Sequence, residues 1–403
     1  MRYNNYHKHT YYSNISTPDS IASVEDYAKR AIELGHTSLV TTEHGYAGNI
    51  FEYYDVAKKY GLKFVFGIEY YYVNNRFEKD RSNSHLMVLA KNQNGMKQML
   101  RIMSEANKTG YYHKPRIDKE LLFSLNPNDV VVTSTCVISY INKHDDYEDN
   151  FVKPLLEYFG DNFYLEIHDN THPMQVEYNK IILDLHNKYD IPFIHATDSH
   201  YIYEEDDKYR TIFLNGKNIY YPEEEGFILD YPESDKIFER YEQQGVFTRE
   251  QVESSLRNTW IIDDFEDIKM DKEIKMPTLY PNLSHDEKVK KLKGILNEKW
   301  KEDRLHISKE RHKEYIEAIQ FETSIVEETK MEDYFLLNQK IIEKAVNDYN
   351  GVLTRTGRGS APSFYINKLL GFTEIDRIDA PVTLFPTRFM SKSRIIESKS
   401  LPD

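Results

Sequence analysis

Residues 1–10 read MRYNNYHKHT, and the fold reading turns on His7 and His9 within that stretch. Two residues apart on an extended run, their imidazoles point to the same side. Neutral imidazole suits zinc, iron and manganese. An isolated HxH is a surface accident more often than a ligand pair, so its partners must come from elsewhere in the chain.

SVEDYAKRAIEL predicts a helix starting near Ser23 and closed by Gly35, where a left-handed cap is expected. TSLVTT follows as a short strand ending in Glu43-His44-Gly45, then a helix to about Tyr60, closed by Gly61. LKFVFG is the next strand and delivers Glu69; SHLMVLA follows with His85 at its start, and NGMKQMLRIMSEAN is helical. Beyond the loop GYYHKPRID, DVVVTSTC is a strand ending at Cys136 and NFYLEIH a strand ending near His168. A helix over 175–189 leads to IPFIHATDSHY, which ends in Asp198-Ser199-His200. Alternating strands and helices predict a parallel sheet with helical crossovers. That many repeats in about 200 residues suit a closed or distorted β/α barrel, whose active sites sit at the C-terminal rim of the strands.

His7, His9, Glu43, His44, Glu69, Cys136, Asp198 and His200 fall at or just past strand ends, so the barrel brings them to one rim. Singly, each has a structural explanation: a satisfied histidine, a small buried thiol, a self-bonded loop. Together they predict a metal site. Imidazole and thiolate suit zinc-like ions, and carboxylates such as Glu69 or Asp198 can bridge two cations. Paired metals clamp the attacking water and leaving oxygen of a phosphoester, so phosphate-ester hydrolysis is the expected chemistry.

Composition agrees with a large folded protein. The 403 residues exceed a usual single domain, and the apolar and charged contents are those of a globular chain. A net charge of −14 argues against extensive basic nucleic-acid patches but leaves room for a local one. Cys136 is the only cysteine, so no intrachain disulfide forms and a reducing compartment fits. The start of the chain has no secretory pattern and no run is apolar enough to span a bilayer, so a cytoplasmic protein without membrane partners is expected.

His7-Lys8-His9-Thr10, Thr42-Glu43-His44-Gly45, Gly67-Ile68-Glu69, His85 in SHLMVLAKNQNG, Lys114-Pro115-Arg116-Ile117-Asp118 and Asp198-Ser199-His200-Tyr201 together resemble the polymerase-and-histidinol-phosphatase (PHP) domain. More narrowly they are similar to the PHP domain at the front of the bacterial DNA polymerase III α subunits, the family C polymerases. The resemblance implies a distorted seven-stranded (β/α)7 barrel holding two or three divalent ions, zinc, manganese or iron. It implies His7, His9, Asp19, His44, Glu69, His85, Cys136, Asp198 and His200 as metal ligands, with His9, Glu69 and Asp198 catalytic. Asp19 is reached by allowing a three-residue insertion in SNISTPDS, since Ser16 stands where the family spacing places its aspartate. Glu43 stands where the family usually has Asp, lengthening a carboxylate expected behind the ligands.

Residues 203–271 loosen into helices and loops, PEEEGFILDYPESD being an acidic solvated face, and LRNTWIIDDFEDIKM resembles the helix closing this region in the family. KMPTLYPNLSHDE reads as a linker, dividing a PHP domain over 1–272 from a mostly helical, partial α+β polymerase palm over 273–403. Two charged amphipathic helices follow the linker. Then Gly357-Arg358-Gly359-Ser360 lies between the strand-like GVLTRT and the helix PSFYINKLL. Backbone N–H groups at such a turn suit phosphate. DYFLL, GRGS, LLGFTEID, Arg388-Phe389 and Leu401-Pro402-Asp403 resemble the family C palm, which implies that Gly357, Arg358, Gly359, Ser360 and Arg388 hold the incoming nucleotide. Residues 351–403 carry eight Lys or Arg against five Asp or Glu, a local excess that suits phosphate.

The resemblance thus implies the N-terminal part of a replicative DNA polymerase α subunit, a nucleotidyltransferase family, with a metal-dependent phosphoesterase or 3′-5′ exonuclease site. The complete polymerase would use magnesium, a DNA primer–template and dNTP, and could engage the remaining polymerase segment, a sliding clamp or a proofreading subunit. The sequence given stops at the first acidic residue of the polymerase cluster, so polymerisation by it alone is not expected. Two other readings stand beside this one. One is a stand-alone phosphoesterase of histidinol-phosphatase type, and the other is a scaffold that metals merely stabilise.

Overall fold

The computed structural model describes residues 1–222, 225–273, 275–353, 359–399 and 401. The chain divides into two compact units, Met1–Asp271 and Lys272–Asp403. No described helix is long and apolar enough to cross a membrane.

The first unit is a curled eight-stranded sheet with helices packed outside it. Its strands are β1 Ser38–Thr41, β2 Lys63–Tyr72, β3 Ser84–Ala90, β4 Tyr111–Tyr112, β5 Lys114–Ile117, β6 Val130–Thr133, β7 Phe163–His168 and β8 Phe193–Ala196. They pair in the order β4-β5-β2-β3-β6-β7-β8, with β1 also on β2. The first residues are extended but bridge only at Lys8, which pairs with Ser199, while His9 N donates to the Ser199 carbonyl at 2.8 Å. Thr42 Oγ1 donates to the carbonyls of Tyr6 and Lys8 on the other side. Residues 5–9 therefore fill the gap between the ends of β1 and β8.

The sheet is not wholly parallel as expected. β3 runs antiparallel to both β2 and β6, whereas β1–β2, β2–β5, β6–β7 and β7–β8 are parallel. The reason is the β2–β3 connection: residues 73–83 contain no helix to carry the chain back, so it returns alongside β2. β2 also extends past Gly67 to Tyr72, because the returning β3 supplies partners for Tyr70, Tyr71 and Tyr72.

Side-chain alternation divides the core into two layers. Phe64, Phe66, Ile68, Tyr70 and Tyr72 of β2 face the outer helices, as do Leu86, Val88 and Ala90 of β3. The inner face carries Val65, Met87, Leu89, Val131, Ile194 and Ala196, which form a separate apolar floor with Tyr6, Val40, Ile262 and Phe265. Continuing up the inner face by twos, the apolar floor gives way to Glu69 on β2, Glu166 and His168 on β7, and Asp198 beyond β8. On β3 the order is reversed, so His85 is at the top.

The helices follow their local signals. Ser23 and Asp26 form a reciprocal cap on Val24–Glu33, and Gly35 takes the left-handed conformation, φ 69°. Gly45 (φ 55°) makes the turn after His44, where a Cβ would sit 2.8 Å from the Tyr71 ring.

The second unit is helical among its described residues, with His285–Asp303, His312–Glu328, Glu332–Tyr349 and the short Tyr365–Leu369. Its core gathers Leu292, Leu296, Trp300, Tyr315, Phe335, Phe364 and Phe389. Residues 351–353 of the expected strand lie outside any strand, and the rest of GVLTRT lies outside the described residues.

Candidate metal centre

All nine expected ligands of the first unit meet in one buried cluster at the top of the barrel. His7 Nε2 lies 3.3 Å from Glu69 Oε1 and 3.1 Å from Asp198 Oδ1; His9 Nε2 lies 3.2 Å from the same Asp198 oxygen. His85 Nδ1 is 2.9 Å from Glu69 Oε1, and His44 Nδ1 contacts Glu69 Oε2. Asp19 Oδ2 sits 3.0 Å from His44 Nε2 and 3.5 Å from His200 Nε2. Cys136 Sγ lies 4.0 Å from Glu69 Oε1 and 3.9 Å from His85 Nδ1. Asp19 lies within the cluster, whereas Ser16 Oγ lies 2.7 Å from Tyr71 Oη.

The donors group into overlapping triads: His9, His44, His200; His7, His9, Asp198; His44, Glu69, His85. Among the described residues, buried His7 Nε2, His9 Nε2, Asp19 Oδ1 and Asp198 Oδ1 have no hydrogen-bond partner. Asp198 Oδ1 lies 3.1 Å from His7 Nε2 and 3.2 Å from His9 Nε2. Orphaned buried polar atoms are costly unless something binds them. Imidazoles, carboxylates and one thiol in such triads are a donor set that fits divalent transition metals.

The electrostatics suit bound cations. Burial works against the charge of His7, but Asp198 and Glu166 outweigh it and hold its imidazolium well above the ordinary value. Burial likewise opposes His44, where Asp19 and Glu69 prevail. His9 is pushed down to about 3 by burial and by His44, whose ring stacks on it at 3.8 Å. Burial raises the Cys136 thiol, with Asp198 and Glu69 adding to it. Burial also opposes ionisation of Glu69, yet His85 and His44 hold its carboxyl well below the usual range.

Two strand-exit residues are conformationally unusual. Asp198 (φ 49°) and the β-branched Thr135 (φ 58°) are in the left-handed region, and Thr135 Oγ1 donates to Glu69 Oε1 at 3.2 Å. Such backbone strain persists where surrounding contacts enforce it. Glu43 stands behind the ligands, accepting from Thr10 N and Oγ1, Ser13 Oγ, Tyr53 Oη and Asn49 Nδ2. Ser13 Oγ in turn lies 3.1 Å from His9 Nδ1, so Glu43 fixes a ligand through one hydroxyl.

Sequence reasoning passed over Glu166 and His168. Glu166, fully buried, lies 2.6 Å from His7 Nδ1 and 2.8 Å from His168 Nε2, and accepts from Tyr6 Oη and Thr133 Oγ1. With His7 the two make a further triad. The available signal was polar residues at alternate positions of the otherwise apolar strand FYLEIH.

In the second unit, Gly357 and Arg358 lie outside the described residues, as do Pro402 and Asp403. Gly359 and Arg388 line one cleft of 590 Å³ with Pro362, Ser363, Asp376 and Asp379, and Ser360 is buried.

Comparison with known proteins follows the same division. The PHP domain family matches residues 5–170, and the bacterial DNA polymerase III alpha NTPase domain family matches residues 290–403. The DNA polymerase III subunit alpha of Aquifex aeolicus is 27% identical over 433 residues, covering 98% of this chain and 35% of the relative. Those of Helicobacter pylori and Campylobacter jejuni are each 26% identical over 98% of this chain, covering 34% and 35% of their own lengths. The chain thus spans about a third of the curated relatives it matches. Its first part is thus similar to PHP domains, its last part to DNA polymerase III alpha NTPase domains, and 98% of it to DNA polymerase III alpha subunits.

Proposed function

We propose that the chain serves as the front segment of a DNA polymerase III alpha subunit in cytoplasmic DNA replication. In this reading the PHP domain, residues 1–272, is a metal-dependent phosphoesterase that removes nucleotides from DNA 3′ ends. The observation that carries it is the convergence of nine donors on one rim, seven of them buried and four of their atoms orphaned. His7, His9, Asp19, His44, Glu69, His85, Cys136, Asp198 and His200 would hold two or three divalent ions of the zinc, manganese or iron type. When bound, such ions supply Lewis acidity for the attacking water and the leaving oxygen of a phosphodiester.

The chain's own groups do the rest. The side chains of Asp198, 16% exposed, and His85, 13% exposed, mark the mouth through which substrate reaches otherwise closed donors. Asp198, Glu69 and His9 are assigned as the catalytic groups at the site's centre, Asp198 Oδ1 lying between His7 and His9. The second unit, residues 273–403, is assigned to the polymerase palm, with Gly357, Arg358, Gly359, Ser360 and Arg388 toward the dNTP phosphates. Primer–template binding, magnesium and nucleotidyl transfer belong to the complete polymerase. The match over residues 290–403 favours this reading over a small-molecule phosphatase, which has no use for such a segment.

Release of 3′-labelled nucleotides from DNA with manganese or zinc tests the assignment. The wild-type chain should release label and His9→Ala should not, while keeping its circular dichroism spectrum. Equal release by both would overturn the site, and no release by wild type with any divalent ion would overturn the hydrolytic reading.

A further inference from the structure

One edge of the metal centre carries two lysines that the ligand set leaves unexplained. Tyr71, on the inner face of β2, packs edge-on against His85 with ring centroids 5.4 Å apart, and stacks toward His44. Over the Tyr71 ring, 4.2 Å from its centroid, sits Lys114 Nζ, which also donates to Thr17 Oγ1 at 3.1 Å. Lys143 ends the short helix Tyr140–Lys143 that follows Cys136, and donates to the Asn83 carbonyl at 2.7 Å, one residue before β3. His85 itself bridges to Ser139, at the start of that helix. Burial lowers the Lys143 ammonium and Lys114 adds to that, while the Lys143 hydrogen bond ends two residues before His85. The two ammonium groups therefore flank the His85–Cys136 side of the centre.

Among the described residues Lys114 Nζ bonds Thr17 Oγ1 and Lys143 Nζ the Asn83 carbonyl, neither of them a carboxylate, although the chain carries an excess of acidic groups. Two like charges on one side of an imidazole repel one another, so their mutual interaction opposes folding even though Lys114 gains its contact with the Tyr71 ring. A bound anion would reverse that sign.

Resting on the hydrolytic reading above, we propose that Lys114 and Lys143 hold the backbone phosphate next to the scissile one. The site's substrate is then a nucleic-acid strand rather than a small phosphate monoester. A strand offers one phosphate to the centre and a second to the lysines, whereas a monoester has only the first. The shared chemistry is phosphate, and the second phosphate distinguishes its source.

The test measures binding rather than turnover. A fluorescent oligothymidylate with phosphorothioate 3′ linkages is titrated into the manganese-loaded full chain over a salt series. Lys114→Met with Lys143→Met keeps both aliphatic stems and removes both charges. The double variant should bind about tenfold more weakly, and its plot of log Kd against log salt should be shallower by about 1.4, the slope that two lost single-strand phosphate contacts remove. Arginine at both positions should restore affinity and slope. Unchanged Kd and slope would overturn the proposal. Weakening accompanied by loss of bound manganese would also overturn it, as would competition by inorganic phosphate as tight as by the oligonucleotide. Failure of the hydrolytic reading shows separately, as absent 3′ release by wild type.

Discussion

Glu166 Oε1 lies 2.6 Å from His7 Nδ1, which leaves His7 Nε2 facing Asp198 and Glu69. The carboxylate fixes which imidazole nitrogen is free for a ligand, and such partners behind metal-binding histidines tune affinity. Glu166→Gln keeps the shape and loses the charge, so it should weaken metal binding about 10–100-fold. Competitive chelator titration measures this. Unaltered affinity would show that His7 is oriented by packing alone.

Glu43 should matter more for stability than for charge. Glu43→Ala strands the buried hydroxyls of Thr10, Ser13 and Tyr53, each worth about 1–3 kcal/mol when unpaired. Glu43→Asp keeps the carboxylate one methylene shorter and should fall between wild type and alanine. Thermal unfolding in chelator ranks the three, and metal titration should follow the same order because Ser13 also positions His9.

Stability should depend steeply on acid below neutral pH. His36 is buried against Tyr3 and within 2.6 Å of Tyr231 Oη; burial, then the charges of Arg2 and Arg30, push it down to about 3 from an ordinary value of 6.5. The unfolded chain binds this proton below pH 6.5 and the folded chain does not. Stability is therefore full above pH 6.5 and falls as pH drops toward 3. In EDTA, urea unfolding should lose about 2 kcal/mol from this group between pH 6.5 and 5. His36→Gln should flatten that fall; an unchanged slope would remove His36 as its source.

Occupied metals should protect the first unit by mass action. At 100 times the Kd, one bound ion adds about 2.7 kcal/mol, several degrees in Tm for a unit of this size. Differential scanning calorimetry with and without EDTA reads the shift. An identical Tm would show that no ion binds the folded centre.

The second unit has its own buried charge pair. Glu322, fully buried, accepts from Arg377 Nε at 2.5 Å and from Ile366 N at 2.9 Å. Burial pushes its carboxyl up while Arg377 holds it down. Arg377→Ala should cost about 3–5 kcal/mol, and adding Glu322→Gln should recover part of it. Each unit holds one of the two tryptophans, Trp260 and Trp300. In a Trp260→Phe background, Trp300 fluorescence in urea follows the second unit alone.

His85 shows where reading the sequence stops. SHLMVLA is recognisable as a strand, and its histidine as polar among apolar neighbours. In an all-parallel barrel, a residue at the start of a strand would lie on the floor, far from His7 and Asp198. The missing helix between β2 and β3 turns β3 around and puts His85 opposite Tyr71. Strand direction is set by the connection and the pairing, neither of which is a property of the heptapeptide. Glu166 was obscured for a related reason: its importance lies in the distance to His7, 159 residues away.

By itself, then, the sequence determined the strand and helix order, the alternation that sends Glu69 and Asp198 inward, and the ligand types at the strand ends. These follow from local periodicity and the chemistry of single side chains. Returning to MRYNNYHKHT, only the tertiary structure decided that residues 5–9 close the barrel without forming a full strand. It also decided that His7 is held by Glu166, and that Lys114 lies over the Tyr71 ring that packs against His85. Those relations depend on distances across the sheet, which are fixed when apolar burial folds the strands together rather than by any neighbouring residue.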